Sequence, residues 1–204
     1  MSFASTIISS VLGIAAGLWL ERHKFPGKRL IVRVNRTLMG MPSVVVGLIT
    51  YMLLMRRGPL GFLNWLFTIQ GMVVAQVIII TPIICGMVFT NAERIAPAIR
   101  MFAKNMGANR SQTNRLLLRE MRNEMYFAVV TGIGRSISEV GAVLKVGGHI
   151  KNSTRTMTTA ISTLKSAGIF TDGIVLGFLL LVMAFIIQTV ADRLRKQVSY
   201  DENY

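Results

Sequence analysis

Residues 126–160, YFAVVTGIGRSISEVGAVLKVGGHIKNSTRTMTTA, decide how this chain is read. The stretch opens as an apolar run long enough to cross a bilayer, yet Arg135 and Glu139 lie inside it. A charge at membrane depth costs at least about 2.5–3.5 kcal/mol on insertion scales, so it is rarely idle there. Four residues apart, the two side chains share one helical face and can neutralise each other. The sequence then turns abruptly polar, through Gly147, Gly148, His149, Lys151, Asn152, Ser153, Thr154 and Arg155 to Thr158 and Thr159. A paired charge leading into a small, hydroxyl-rich exit reads as a membrane pathway whose mouth meets something charged.

Composition sets that stretch in context. The chain has 204 residues, is 52% hydrophobic and carries a formal net charge of +14. Several apolar runs approach the roughly 20 residues that span a bilayer, which implies an all-α polytopic membrane protein. The basic residues flank apolar runs, so the positive-inside rule accounts for them without nucleic acid. Cys85 is the only cysteine, which excludes an intrachain disulfide, and two distant histidines offer no metal site. No basic residue precedes Phe3, so the n-region of a signal peptide is lacking and the first run is expected to remain as a span.

Five spans are expected, at about 3–20, 38–55, 72–89, 126–146 and 173–190, within one domain covering 1–204. The small pair Gly13 and Gly17 would let span one approach another helix closely, and Gly173 and Gly177 repeat the pattern in span five. Arg22, Lys24, Lys28, Arg29, Arg33 and Arg36 follow span one and place that segment in the cytoplasm. The N-terminus is then outside, and Arg193, Arg195 and Lys196 return the C-terminus to the cytoplasm. Arg56 and Arg57 oppose the charge rule mildly, and Phe62, Trp65 and Phe67 suggest a short interfacial helix. The polar segment 90–125 reads as helices with turn signals at Pro97 and at Gly107-Ala108-Asn109. Its cations outnumber its glutamates, as in either a solvated loop or a docking element. A short external helix is expected over 158–165.

Several chemistries are missing. No GxxxxGK[ST] loop is present to cradle ATP phosphates. Gly132 and Gly134 begin a GxG without the third glycine of a dinucleotide fingerprint. HExxH, CxxC and GxSxG are absent, the thirteen methionines read as packing residues, and no catalytic or metal residue is assigned.

The order of segments resembles the permease subunits of ATP-binding-cassette importers with a five-span core. The family's EAA loop matches MFAKNMGANRSQTNRLLLREMR at 101–122, where Ala103, Gly107 and Ala108 fit. Met101 stands in place of the usual glutamate, Phe102 of an alanine and Arg119 of a proline. GRSISEVGAVLKVGGHIKNSTRTMTTAI is similar to the molybdate and tungstate branch, and its EVGA, VGG and TRxMTTAI elements are closest to tungstate permeases. MPSVVVGL at 41–48 and RRGPLG at 56–61 add matches, and His149 stands where an asparagine is usual.

The resemblance implies a type I importer permease in a prokaryotic cell membrane, working as a homodimer with two ATPase subunits and an extracytoplasmic oxyanion-binding protein. ATP and Mg would sit on the ATPase, with no cofactor in this chain. Ala103, Gly107 and Ala108 would couple to the ATPase. Arg135, Glu139, Arg155, Thr158 and Thr159 would belong to the pathway or gate, with Arg135 and Glu139 either a packing pair or a gating one. Lys151, Arg155 and the hydroxyls of Ser153, Thr154, Thr158 and Thr159 suit a divalent oxyanion, or acidic residues of the receptor. Tungstate leads, with molybdate, sulfate and phosphate open. A membrane-embedded enzyme or scaffold is the alternative from another class.

Overall fold

The computed structural model describes residues 1–200, with side chains up to Ala191 together with that of Arg193; Arg195 and Lys196, expected to mark the cytoplasmic C-terminus, have side chains outside the described ones. Nine α-helices and no strand are found among the described residues. Helix α1 (Ser2–Arg22) packs lengthwise along α4 (Ile69–Asn105). The contact is made by Gly13 and Gly17, since a Cβ at either would lie 2.8 Å from Ile84 Cβ or the Cys85 carbonyl. Backbone approach of this kind replaces the hydrophobic drive that lipid cannot supply. The two helices run parallel and are tied at their far ends by Glu21 and Arg100, whose Nη2 lies 2.7 Å from Oε2. Ile80, Ile84, Val88, Ala92 and Ala96 of α4 form the spine of the largest core cluster.

Helix α4 has 37 residues, about 55 Å, against a hydrocarbon core of roughly 30 Å. It runs through both Pro82 and Pro97, so the turn expected at Pro97 does not occur. Pro97 is exposed, and water can take the helical hydrogen bond that its ring removes.

The expected span 38–55 coincides with a break. Helix α2 (Lys28–Met39) and α3 (Ser43–Leu54) meet at 104°. Gly40 ends α2, and Pro42, which cannot continue a helical hydrogen-bond ladder, begins α3. The 12 residues of α3 reach about 18 Å, too short to cross alone. Phe62, Trp65 and Phe67 lie in a 3-10 turn (Gly61–Leu63) and an irregular link rather than a helix, with Asn64 and Phe67 both at positive φ. There the Phe67 N–H donates to the Val146 carbonyl (3.0 Å).

Helix α5 (Arg110–Glu120) and α6 (Arg122–Ser138) are separated by Met121, which is fully buried. The expected span 126–146 is bent by 56° where α6 gives way to α7 (Gly141–Gly147). Gly47 of α3 and Ala142 of α7 touch so closely that these two short helices pack as one unit beside α4. The helix expected over 158–165 forms as α8 (Met157–Ser166), and α9 (Phe170–Tyr200) lies against α8 and the start of α6. Tyr126 Oη donates to the Ala191 carbonyl (2.8 Å) and fixes that second contact. Among its described residues α9 is otherwise mostly bare, with Ile174, Phe178, Leu181 and Phe185 at least two-thirds exposed.

Candidate functional site

The break in the span that carries the charges is organised by Glu139. Its side chain is only 2% exposed, and its two oxygens point to different partners. Oε1 accepts from the Ala142 N–H (3.0 Å), one of the unpaired donors in the first turn of α7. Oε2 lies 3.1 Å from Arg135 Nη2, an ion contact whose alignment falls short of a hydrogen bond. The Glu139 carbonyl in turn accepts from Thr158 Oγ1 (3.2 Å). The ion pair anticipated from the i, i+4 spacing therefore exists, and it sits at a joint between helices rather than mid-helix. Arg135, one-third exposed, is the member that faces outward.

Beyond α7 the exit segment is a compact turn. Thr154 is buried; its hydroxyl donates to the Gly147 carbonyl and accepts from the Ile150 N–H (3.0 Å). Gly148, His149 and Asn152 have φ of 66°, 52° and 64°. Asn and His are among the side chains that tolerate this region, so both His149 and Asn152 suit their positions. Thr156 and Thr159 cap α8 reciprocally, and Thr159 Oγ1 also lies 2.9 Å from His149 Nδ1.

The threonine hydroxyls are engaged inside the protein in this structure. Thr154, Thr158 and Thr159 are buried and bonded within the protein, so they do not offer hydroxyls to an oxyanion in this conformation. Lys151, Asn152, Ser153 and Arg155 are the exposed polar residues of the turn.

At the opposite end, Ala103, Gly107 and Ala108 belong to one motif. The Gly107 N–H donates to the Lys104 carbonyl (3.1 Å) and the Ala108 N–H to the Ala103 carbonyl (2.9 Å). With Gly107 at φ 68°, this is a Schellman C-cap of α4. Asn109 then starts α5 through a capping box with Gln112, so two caps meet with no slack between them. A cleft of about 540 Å³ beside the turn is lined by Arg22, Arg100, Lys104 and Arg110. Met101, Phe102 and Met106 are each more than half exposed on the same turns of α4.

Sequence reading missed a polar cluster joining three helices. Ser5 Oγ donates to Gln76 Oε1 (2.7 Å), and Gln76 Nε2 donates to the Ser136 carbonyl (3.0 Å), all three residues being buried. The available signal was a glutamine inside the apolar run of α4. Such interhelical bonds contribute about 0.6–2 kcal/mol each in membranes. No group of three or more metal-ligating side chains comes together among the described residues.

A bundle of membrane-length helices, some broken, with one strongly basic end, is that of an integral-membrane protein. Residues 9–200 match the family described as binding-protein-dependent transport system inner membrane component, and the chain belongs to it. It is 38% identical over 197 residues to the tungstate uptake system permease protein TupB of Peptoclostridium acidaminophilum, covering 97% of this chain and 86% of that one. It is 36% identical over 200 residues to a probable anion ABC transporter permease protein of Haloferax volcanii, covering 96% and 86%. Its fold is similar to that of a chain in a structure of inward-facing conformations of the MetNI methionine ABC transporter, with TM-score 0.69 at 17% identity, covering 97% of this chain and 92% of that one. The chain is a membrane component of a transport system, and the enzyme and scaffold readings fall away.

Proposed function

We propose that this chain is the translocating subunit of an ATP-driven importer whose cargo is an oxyanion, tungstate ahead of molybdate, sulfate and phosphate. The observation that carries the cargo is the match along 97% of the chain to a permease named for tungstate uptake. Two copies of the chain form the pathway, and two ATPase subunits, which hold ATP and Mg, dock on the turn around Gly107. In support, that turn is doubly capped, basic and studded with exposed Met101, Phe102 and Met106, the mixture of apolar anchors and charge that protein interfaces use. The oxyanion-binding protein docks on the opposite, extracytoplasmic end at 147–160, where Lys151 and Arg155 are exposed.

In this reading transport is by alternating access. ATP closes the ATPase pair, the paired caps around Gly107 transmit the movement without stretching, and the two copies open outward. The joint at Glu139 is a natural place for that opening, because a bent span can change its angle there without losing helix on either side. Arg135, one-third exposed beside the joint, is the cation assigned to the path in this reading. The N-terminus lies outside and the C-terminus in the cytoplasm, as the basic segments require.

The test is uptake by cells that express this chain with its ATPase and binding protein, read as intracellular tungsten by elemental mass spectrometry. Tungsten accumulation that needs all three components, and that excess sulfate or phosphate leaves intact, is the expected result. Accumulation of sulfate or molybdate in preference would reassign the cargo, and no ATP-dependent anion uptake at all would overturn the function.

A further inference from the structure

Helix α2 has three faces. Val32, Asn35 and Met39 turn to α4: Val32 packs on Leu20, Cys85 and Phe89, Asn35 Nδ2 donates to the Pro82 carbonyl (3.1 Å), and Met39 lies over Gly86. A second face, Leu30, Ile31 and Val34, is apolar and 44–62% exposed. The third carries Arg29, Arg33 and Arg36, all exposed. The 104° break before α3 turns this helix across the direction in which the chain next runs. A crosswise helix with one bare apolar face and one cationic face is built to lie in a membrane interface.

A cleft of about 790 Å³ opens beside it, lined by Lys24, Lys28, Arg29, Arg33 and Arg36, with Phe25, Val32 and Phe89 as its apolar floor. Glu93 is the only carboxylate in that lining. Among the described residues Lys24, Arg29, Arg33 and Arg36 make no ion pair. The level of the cleft is set by α4: Phe89 ends its long, mostly apolar stretch, and Glu93 is its first charged residue. The cations therefore gather where apolar helix gives way to polar helix, which is the depth of lipid headgroups.

We infer that α2 and this cleft form a binding site for an anionic phospholipid of the cytoplasmic leaflet, with its phosphate among Arg29, Arg33 and Arg36 and its acyl chains along Leu30, Ile31 and Val34. A free oxyanion would use the cations alone; the adjoining bare apolar face favours an amphiphile. Bound there, the lipid compensates charge that the protein leaves unpaired and holds α2 at the interface, which steadies α3 at its start. The inference does not depend on which anion is carried.

The full chain is reconstituted in nanodiscs of phosphatidylcholine with and without phosphatidylglycerol, and retained lipid is read by native mass spectrometry. Wild type is expected to retain phosphatidylglycerol selectively, and the triple variant Arg29→Gln/Arg33→Gln/Arg36→Gln to lose about tenfold or more of that preference. The matching triple change to lysine keeps the charge and most of the preference, whereas Leu30→Ser/Val34→Ser weakens retention. A photoreactive phosphatidylglycerol, used on wild type so that no variant need fold, should label the segment 24–36. Labelling confined to other helices, or labelling of that segment that millimolar phosphate or tungstate abolishes, would overturn the inference, the second outcome marking a free-anion site.

Discussion

Glu139 makes its two contacts through different oxygens, and substitution can separate them. Glu139→Gln keeps an oxygen to accept from Ala142 N–H and removes only the charge opposite Arg135. Glu139→Ala removes both and leaves a buried donor in α7 unpaired, a loss of about 1–3 kcal/mol on that account alone. Breaking a wholly buried pair costs about 3–5 kcal/mol, but Arg135 is one-third exposed and can be rehydrated, so the charge contributes less here. Thermal unfolding of the purified protein should rank wild type above Glu139→Gln and that above Glu139→Ala. Equal melting of the Gln and Ala variants would show that the cap is irrelevant. The pair itself was legible, because a spacing of four is local geometry. The joint was not: Thr158 meets the Glu139 carbonyl across 19 residues, and no local pattern announces such a contact.

At the scale of elements, one sequence pattern meets two fates. Gly13 and Gly17 are pressed against α4, whereas nothing lies within 4 Å of a Cβ at Gly177 and only Leu164, at 3.8 Å, near one at Gly173. Small residues four apart permit close approach, but only the partner helix decides whether it happens. Gly17→Val should therefore destabilise the protein by about 1–3 kcal/mol through overpacking, while Gly177→Val should leave its melting unchanged. The turn at Gly107 gives a second contrast. Its φ of 68° suits glycine and is tolerated by asparagine, but costs a β-branched residue about 1–2 kcal/mol or more. ATPase activity stimulated by the binding protein should survive Gly107→Asn and fall in Gly107→Val, measured on the reconstituted complex. The glycine was legible as a turn. Pro97 was misleading because an exposed proline near a helix end can be carried by solvent, and the break at 40–42 was obscured by the apolar run from Leu38 to Met41.

Across the whole molecule, charge is distributed by end. The clefts beside Gly107 and beside α2 together hold Arg22, Lys24, Lys28, Arg29, Arg33, Arg36, Arg100, Lys104 and Arg110, whereas the exit turn exposes Lys151 and Arg155. Residues this far apart act on different partners, so reversing charge at one end should spare function at the other. In the double variant Lys151→Glu/Arg155→Glu, the buried scaffold of Thr154, Thr158 and Thr159 is untouched, and neither altered side chain makes an ion pair among the described residues. Folding and ATPase docking should therefore match wild type. Docking of an acidic binding-protein face would instead meet repulsion, which acts chiefly on the association rate and is screened over about 10 Å at 0.1 M salt. Stimulation of ATP hydrolysis by the binding protein should fall by roughly tenfold at low salt and recover partly as salt rises. A loss that ignores salt would point to damaged packing of the turn, and unchanged stimulation would place receptor docking elsewhere on the outer surface.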